Sequence, residues 1–520
     1  MRLRLFREEA LAALGLLSFI KKAGRAERVH SRPARKMTRR QKARRVMYLS
    51  RFKRTLCRIG VAVPLALALV VPRPAFAETL ADALVGAYER SGLLEQNRAL
   101  LRAADEDVAS AKAALKPVLR WAGGLTQSFG STRTSSLVSS QSTASLTASI
   151  NLIGELLLYD FGASQYRVEA TKETVLATRQ TLLDLEQQVL LRAVAAYMGV
   201  IEASDVVALR NNNLRLLTQE LRAARDRFDV GEVTNTDVAI AEAQLAEARS
   251  GLAGAEGALL RAVEEYRNVV GRTPSNLTPP PQLPNVSGNL EAAKALAVRR
   301  HPAVLAAQHQ VAAARLAVSS NESAMSPRIT LQGNYGLSET FDSKRYSRSG
   351  SVGVEAGQTI YQGGALSSAV RQAMAQEDAQ RANLHVVSRE TAQEVGNAYA
   401  SLSSTRAQLE ASDRQIRAAR TAFEGVREEA KLGARTTLDV LDAEQVLLDA
   451  ESTRVTARAN LYIAAYAVLA STGQLTARDL GLPVQLYDAA AYYNLVKDGP
   501  AKYSKQGQAL DRVLRALQKN

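Results

Sequence analysis

Two periodicities alternate along the chain from Glu78 onward. Four segments place apolar residues at every second position, which is the pattern of a strand with two different faces. Each segment has about ten residues, the length that crosses a bilayer when a strand is tilted. Two ordinary soluble hairpins are the alternative interpretation. The four predicted strands are Leu119–Phe129, Ser145–Leu152, Ile329–Leu337 and Ser351–Ile360.

The remaining residues have helical periodicity over unusual lengths. Residues 118–273 and 328–482 contain no proline, and alanine is abundant in both tracts. Between Gly162 and Gly231, apolar residues recur at spacings of three, four and five, so a single helix there would be about 100 Å long. Such a helix has no globular core of its own. We expect it to be covered by its returning helix and by other subunits.

The same order of features occurs twice. The first helical runs end at Pro117 and Pro327, which are 210 positions apart, whereas the glycines at 231 and 433 are 202 apart. Many matches at fixed spacing indicate an internal duplication with a longer strand–loop–strand segment in the first copy. We predict a first repeat at 78–272, with strands at about 117–160; a proline-rich linker at 273–288; a second repeat at 289–483, with strands at about 327–362; and a C-terminal tail at 484–520.

Charge is distributed unevenly along the chain. The net charge is +16, but residues 1–77 hold 20 Lys and Arg against 3 Asp and Glu. From Glu78 onward the charges nearly cancel, so the basic excess belongs to a leader. We therefore exclude nucleic acid as a partner.

The predicted leader at 1–77 has the parts of a secretory signal. A basic region precedes the apolar core Ile59–Val71, and Ala75-Phe76-Ala77 supplies a small-x-small cleavage pattern. We predict that the mature chain begins at Glu78 and that Met47 is the natural start. The single cysteine, Cys57, lies before the apolar core, which excludes disulfides and argues against lipidation of the mature protein.

Enzymatic chemistry has no support in the sequence. The three histidines after the leader, His301, His309 and His385, lack the spacing of zinc ligands, and no nucleophile elbow, phosphate-binding loop or dinucleotide fingerprint is present. We predict no catalytic residue, no metal site and no cofactor.

Export without an apolar helix leaves one way to cross a membrane. No stretch after Glu78 is apolar for long enough to form a transmembrane helix. A closed β-barrel can cross instead, because closure satisfies every strand edge, but four strands are too few. Several chains must therefore share one barrel, with the long helices continuing it as a second tube. The sequence predicts a conduit.

The chain resembles the TolC-like outer-membrane efflux and secretion proteins over about Glu78 to Pro483. The motifs that carry the resemblance are the Pro-then-strand junctions, the turns at Leu158–Ala163 and Ile360–Ala365, and residues 227–231 and 432–443. The resemblance implies a mainly α fold with transmembrane β-strands. It further implies a homotrimer whose twelve-stranded outer-membrane β-barrel continues as a periplasmic α-helical coiled-coil barrel, closed at its lower tip.

The resemblance also assigns partners and roles at the tip. A periplasmic adaptor and an inner-membrane ABC or proton-driven transporter would dock there, and outer-membrane lipid would surround the barrel. Gly231 and Gly433 would make the helix-tip turns, with Thr234, Asn235 or Thr236, and Thr436 or Thr437, as caps. Asp237 is equally explained as a helix N-terminal residue. By resemblance, Asp439 and Asp442 form an acidic entrance ring, while Arg435 pairs with Thr236 and Asp237 as a latch.

One departure from the family pattern concerns this latch. The best-known closed tip of the family has a tyrosine five residues before the arginine, where this chain has Ala430. We expect the latch to be weaker or built differently.

The main rival hypothesis is a trimeric coiled-coil structural or adhesin-like protein without a through-channel. The cargo is left open by the sequence, although the absence of a lipidation cysteine favours the type I secretion branch. For the tail, both wrapping of the helical barrel and disorder remain open.

Overall fold

The computed structural model of this protein describes residues 78–132, 141–286, 288–341 and 345–517. The predicted leader, with its signal sequence, its cleavage pattern and the alternative start at Met47, lies outside the described residues. Within the described part of the chain, no helix has both the length and the apolar character needed to cross a bilayer.

Residues 78–270 form four helices and two strands. Two short helices lead into an antiparallel pair of strands, and a long helical hairpin follows. The elements are α1 (Leu80–Arg90), α2 (Gly92–Ala113), β1 (Val118–Thr132), β2 (Gln141–Tyr159), α3 (Ala163–Asp229) and α4 (Asn235–Val270).

The same six elements recur in residues 290–471. Elements α1, α2 and β1 begin 210 residues before their counterparts, and α3 and α4 begin 202 residues before theirs. The offset changes at the strands, where β1 and β2 have 15 and 19 residues but β3 and β4 have 13 each. The second set is α5 (Leu290–Arg300), α6 (Pro302–Ser323), β3 (Arg328–Thr340), β4 (Arg345–Gly357), α7 (Ala365–Lys431) and α8 (Thr437–Ser471).

Each long helix runs beside two shorter ones. Helices α3 and α7 each have 67 residues, about 100 Å at 1.5 Å per residue. The first part of α3 lies along α6, where the Ser320 hydroxyl donates to the Ala163 carbonyl at 2.9 Å. Farther along, Arg192 of α3 pairs with Glu265 of α4 at 2.8 Å. The covering that a helix of this length requires is thus supplied partly within the subunit.

Several small cores, rather than one, stabilise the helices. The largest lies near the middle of α3 and includes Tyr197 and Tyr266, both fully buried. Two others lie near the far ends of the hairpins, around Leu217 and Phe423. This arrangement follows from the sequence pattern, because a long amphipathic helix distributes its apolar residues along its whole length.

The predicted first mature residue is fixed in the largest core. The Glu78 carboxylate accepts hydrogen bonds from the Tyr266 hydroxyl at 2.5 Å and from Arg272 at 2.9 Å, and its side chain is almost fully buried. Its backbone carbonyl accepts from Tyr197 at 2.9 Å. Burial alone would raise the pKa of Glu78, but hydrogen bonds from Tyr266 and Ser275 and the Arg272 charge bring it below its ordinary value. The Glu78 side chain is therefore held as a carboxylate.

The strands form one antiparallel sheet in the order β1-β2-β3-β4. The second repeat joins the first through β2 and β3, with Leu152 opposite Tyr335. Strand β4 ends at Gly357, because that residue pairs with Arg328, the first residue of β3. Ile360, which the alternation placed in this strand, therefore lies beyond it and is almost fully exposed.

The two faces of the sheet differ in chemistry. The register places apolar residues of adjacent strands opposite one another, as for Trp121 with Leu152, and the Trp121 side chain is 74% exposed. On the other face, Gln332 donates to Glu355 at 2.6 Å. An exposed apolar face of this extent requires cover by lipid or protein. It includes Leu119, Trp121, Leu125, Phe129, Ile150, Leu152, Tyr335, Val352 and Val354.

Candidate functional site: the tips of the helical hairpins

The first hairpin reverses in five residues after α3. Gly231 has φ of +80°, the left-handed conformation in which glycine has no steric cost. Its N–H donates to the Phe228 carbonyl at 2.9 Å, and the Glu232 N–H donates to the Arg227 carbonyl at 2.9 Å. These bonds satisfy carbonyls that the end of a helix leaves unpaired. Helix α3 therefore ends at a glycine-dependent turn.

The second hairpin reverses in the same way after α7. Gly433 has φ of +77°, and its N–H donates to the Ala430 carbonyl at 3.1 Å. The Ala434 N–H donates to the Glu429 carbonyl at 2.9 Å. Both glycines are exposed, and a Cβ at either one would meet no other atom, so backbone conformation alone favours glycine here.

Each returning helix begins with a capping box. Thr234 and Thr436 are the N-caps, and their hydroxyls accept from the backbone N–H groups of Asp237 and Asp439 at 3.3 and 3.2 Å. Each aspartate in turn accepts from the backbone N–H of its threonine at 2.9 Å. Of the cap candidates from the sequence, Asn235, Thr236 and Thr437 instead lie within the first turns of α4 and α8.

Capping keeps both aspartates charged. The Thr234 hydroxyl and backbone N–H lower the pKa of Asp237, and the backbone N–H and hydroxyl of Thr436 do the same for Asp439. The capping explanation that the sequence allowed for Asp237 therefore applies to Asp439 as well. The two tips have the same backbone structure and differ in the charged residues in and after the turn.

Asp442 follows Asp439 by three residues on α8, and this spacing places both carboxylates on one helix face. Asp442 is exposed and Asp439 is partly exposed. Asp439 Oδ2 is used by the cap, while Asp442 takes no part in the capping box. The assignment of these two residues to an entrance ring stays a prediction.

Arg435 lies between the second turn and its cap. Its Nε donates to Glu429 Oε2 at 2.9 Å, and both side chains are about half exposed. In the described part of the subunit, no salt bridge joins Arg435 to Asp237. Thr236 is exposed at the first tip. The single chain thus does not bring the predicted latch residues together, and Glu429 is a partner that the sequence did not indicate.

Ala430 lies inside the second tip. Its methyl group is buried in the small core formed with Phe423 and Val440. A buried methyl group cannot donate a hydrogen bond, so position 430 contributes packing in place of the tyrosine hydroxyl that the family pattern has.

A contact between the two hairpins lies two turns above the second tip. Leu441 of α8 is buried in the core of the first hairpin, beside Leu217 and Leu245. One turn farther along, the Asn213 amide of α3 donates to Glu444 Oε1 at 2.6 Å. Both polar side chains are buried, so this pair joins the first repeat to the second.

Glu444 is poorly accommodated as a carboxylate. Among the described residues, its second oxygen Oε2 has no hydrogen-bond partner. Burial raises the pKa of Glu444 to about 7, against an opposing effect of the Asn213 hydrogen bond. Glu220 of α3 raises it further, while Arg427 of α7 lowers it. The two hairpins therefore meet at a carboxyl whose charged form is disfavoured by burial.

The first comparison with known proteins concerns the two repeats. The family model described as Outer membrane efflux protein matches residues 84–272 and 295–474. The two matched segments leave out the linker between the repeats and the C-terminal tail.

Relatives match this chain in sequence, and two of them illustrate the range. The outer membrane efflux protein BepC of Brucella suis biovar 1 is 35% identical over 442 residues, covering 85% of this chain and 95% of BepC. The alkaline protease secretion protein AprF of Pseudomonas aeruginosa is 27% identical over 303 residues, covering 56% of this chain and 63% of AprF.

The fold matches solved structures as well. The outer membrane protein VceC of Vibrio cholerae superposes with a TM-score of 0.64 at 19% identity, over 76% of this chain and 96% of VceC. A likeness at this identity shows the fold alone. Together with the family match and the BepC relationship, it confirms the TolC-like resemblance and the location in the outer membrane. The chain belongs to the outer membrane efflux protein family.

Proposed function

We propose that this protein is the outer-membrane exit duct of a tripartite export system. One observation carries the proposal: an exposed apolar sheet face is continuous, through β2 and β4, with two helical hairpins about 100 Å long. A periplasmic adaptor and an inner-membrane ABC or proton-driven transporter would complete the path. Efflux and secretion channels among the relatives support transport over catalysis.

Three subunits would complete the membrane part. Within one subunit, β1 and β4 are the edges of the sheet, and each has a neighbour on one side only. Unpaired edges cannot face lipid, because their backbone groups would lack hydrogen bonds. Pairing β1 of one subunit with β4 of the next gives a twelve-stranded barrel from three chains. The helical hairpins would then form a periplasmic tube.

The inner-membrane transporter would select the cargo that passes through the duct. Relatives named for efflux and for protease secretion make both small molecules and proteins candidate cargo. The lone cysteine lies in the predicted leader, so a lipid-anchored duct is disfavoured. We favour the type I secretion branch on this ground.

The tip is the proposed gate. Six carboxylates from Asp439 and Asp442 would surround the tunnel entrance in a trimer, which selects for cations. Arg435 would bond to Thr236 and Asp237 of a neighbouring subunit in the closed state. Because Arg435 also has Glu429 within its own chain, the latch is a choice between two acidic partners.

Channel recordings test the duct and its entrance together. In planar bilayers, the purified protein is expected to form cation-selective channels. Replacing Asp442 with Asn should lower cation selectivity several-fold, because a ring of three charges is lost while the cap at Asp439 is kept. Asp449→Asn, about 10 Å farther along α8 than Asp442, is the matched control. A trimer that does not conduct would refute the duct; unchanged selectivity in D442N would refute only the ring.

The latch predicts different effects for substitutions of the two bonded side chains, Arg435 and Glu429. Arg435→Gln should raise the conductance of the closed state several-fold, because charge-assisted hydrogen bonds of roughly 1.5–3 kcal/mol each are lost. Glu429→Gln should leave the tip closed, because it releases Arg435 for the neighbouring subunit. Arg420→Gln, which breaks a bridge within the second hairpin, is the control. Equal opening by R435Q and E429Q would contradict the latch.

The hairpin contact predicts a pH dependence with a definite sign. The pKa of Glu444 is raised in the folded state, so the penalty for a buried charge is absent below the unfolded pKa of about 4.3 and grows toward pH 7. The wild-type tip should therefore loosen as the pH rises from about 4 to 7, the interval between the unfolded and folded pKa values. Glu444→Gln should remove this dependence in both thermal unfolding and conductance.

The control for this experiment is Glu247→Gln. Glu247 is exposed and lines the cleft beside Asn213, together with Arg210. Its replacement should leave the pH dependence unchanged. The assignment to Glu444 is wrong if E444Q keeps the wild-type profile.

A further inference from the structure

The C-terminal tail lies outside both repeats and outside the family match. It contains α9 (Ala489–Val496) and α10 (Lys505–Leu517). The Arg98 guanidinium lies 5.2 Å from the centre of the Tyr487 ring, and the Tyr492 hydroxyl donates to Glu106 at 2.8 Å. Arg98 and Glu106 lie eight residues apart on α2, and Glu106 is the nearer of the two to β1, so the tail runs along α2 toward the sheet.

The tail reaches the end of α2 that leads into the sheet. Asp498 pairs with Lys112 at 3.5 Å, and the Lys116 ammonium donates to the Asp498 carbonyl. Lys116 is two residues before β1. The tail therefore turns at the boundary between the helices and the strands.

Exposed aromatic side chains surround this same boundary. Tyr159 ends β2, and its ring lies 4.8 Å from that of Phe161, while Tyr361 follows β4 and is 84% exposed. Tyrosine and tryptophan collect where a bilayer meets water. In an outer-membrane protein whose helices are periplasmic, this level is the headgroup region of the inner leaflet.

Helix α10 has an apolar and a basic face. Leu510 and Leu514 pack against Tyr492 and Val496 of α9. At 100° per residue, three basic side chains lie within about 80° of one another on the opposite side of the helix. All three are exposed, and they are Lys505, Arg512 and Arg515.

The residues between the helices add to this surface. Lys502 and Tyr503 precede α10, and the Tyr503 side chain is 85% exposed. Asp511 is the one acidic residue of α10, and it is partly buried. Since α9 already covers the apolar face of α10, the surface that remains is suited to an anionic partner.

We propose that α10 binds the anionic phospholipid headgroups of the inner leaflet of the outer membrane. The basic face supplies the charge complementarity. The bond from Lys116 to Asp498, seven residues before α10, holds the segment that leads into α10 at the boundary with the sheet, where Tyr503 can enter the interface. Basic residues near a membrane surface attract anionic lipid, and the attraction is screened within a few ångströms at high salt. The tail then attaches each subunit to the membrane beside the sheet. The inference rests on the proposed insertion of that sheet.

A fluorescent label reports the contact directly. Cys57 is the only cysteine of the chain, so Tyr503→Cys in a Cys57→Ser background carries a single environment-sensitive probe. The full-length protein is placed in nanodiscs of phosphatidylcholine with or without phosphatidylglycerol. We expect a blue-shifted emission only with phosphatidylglycerol, and its loss at about 1 M salt, where the screening length is about 3 Å. Conductance of the same samples shows separately whether the sheet has inserted.

Charge removal completes the test. Replacing Lys505, Arg512 and Arg515 with Gln should abolish the lipid-dependent shift while leaving channel conductance unchanged. The control neutralises three exposed arginines of the hairpins, Arg222, Arg249 and Arg261, and should keep the shift. Equal emission in both kinds of nanodisc, as expected if a protein covers this face, would overturn the proposal, and so would a shift that survives the triple substitution.

Discussion

The length of the two continuous helices is the constraint on which the rest of the structure depends. A 67-residue helix exposes an apolar stripe for about 100 Å, and no single globular core can cover it. The chain meets this constraint by duplication, by shorter helices placed end to end beside each long one, and by small cores distributed along the length. The remaining exposed surface includes the apolar face of the sheet and the edges β1 and β4, and it is the surface that the proposed trimer would cover.

The two tips share one backbone structure, a left-handed glycine followed by a capping box, but carry different side chains. Gly231 and Gly433 end the long helices, and Thr234 and Thr436 start the returning ones through identical capping boxes. Duplication thus supplied two turns of the same backbone structure, whose charged side chains could then become different. In the second turn, Arg435 bonds to Glu429 of its own chain, whereas the first turn at 230–234 contains no arginine. The helix that returns from the second tip also carries the buried carboxyl of Glu444, which bonds to Asn213 of the other repeat. The gate that we propose is therefore asymmetric within each subunit.

The order of elements and both turns could be predicted because they depend on local signals. Proline and glycine positions, a change of period from two to three or four, and repeated spacings locate them within a few residues. The partners of the tip residues could not be predicted in this way. Asn213 and Glu444 are 231 positions apart, and Lys116 and Asp498 are 382 apart, so only the packing of whole helices brings them together. Glu429 is nearer to Arg435, but its role depends on the geometry of the turn.

The most direct test is whether the first tip of one subunit contacts the second tip of the next subunit. Asp237→Cys and Arg435→Cys in one chain, with Cys57 replaced by Ser, leave only these two thiols. If Arg435 of one subunit bonds to Asp237 of the next, oxidation should link the subunits into a covalent trimer and hold the channel closed until the disulfides are reduced. The pair Glu429→Cys and Arg435→Cys, whose native side chains are bonded within one chain, should give a cross-linked monomer instead. A covalent monomer from the first pair, or a trimer that conducts equally before and after reduction, would contradict the account.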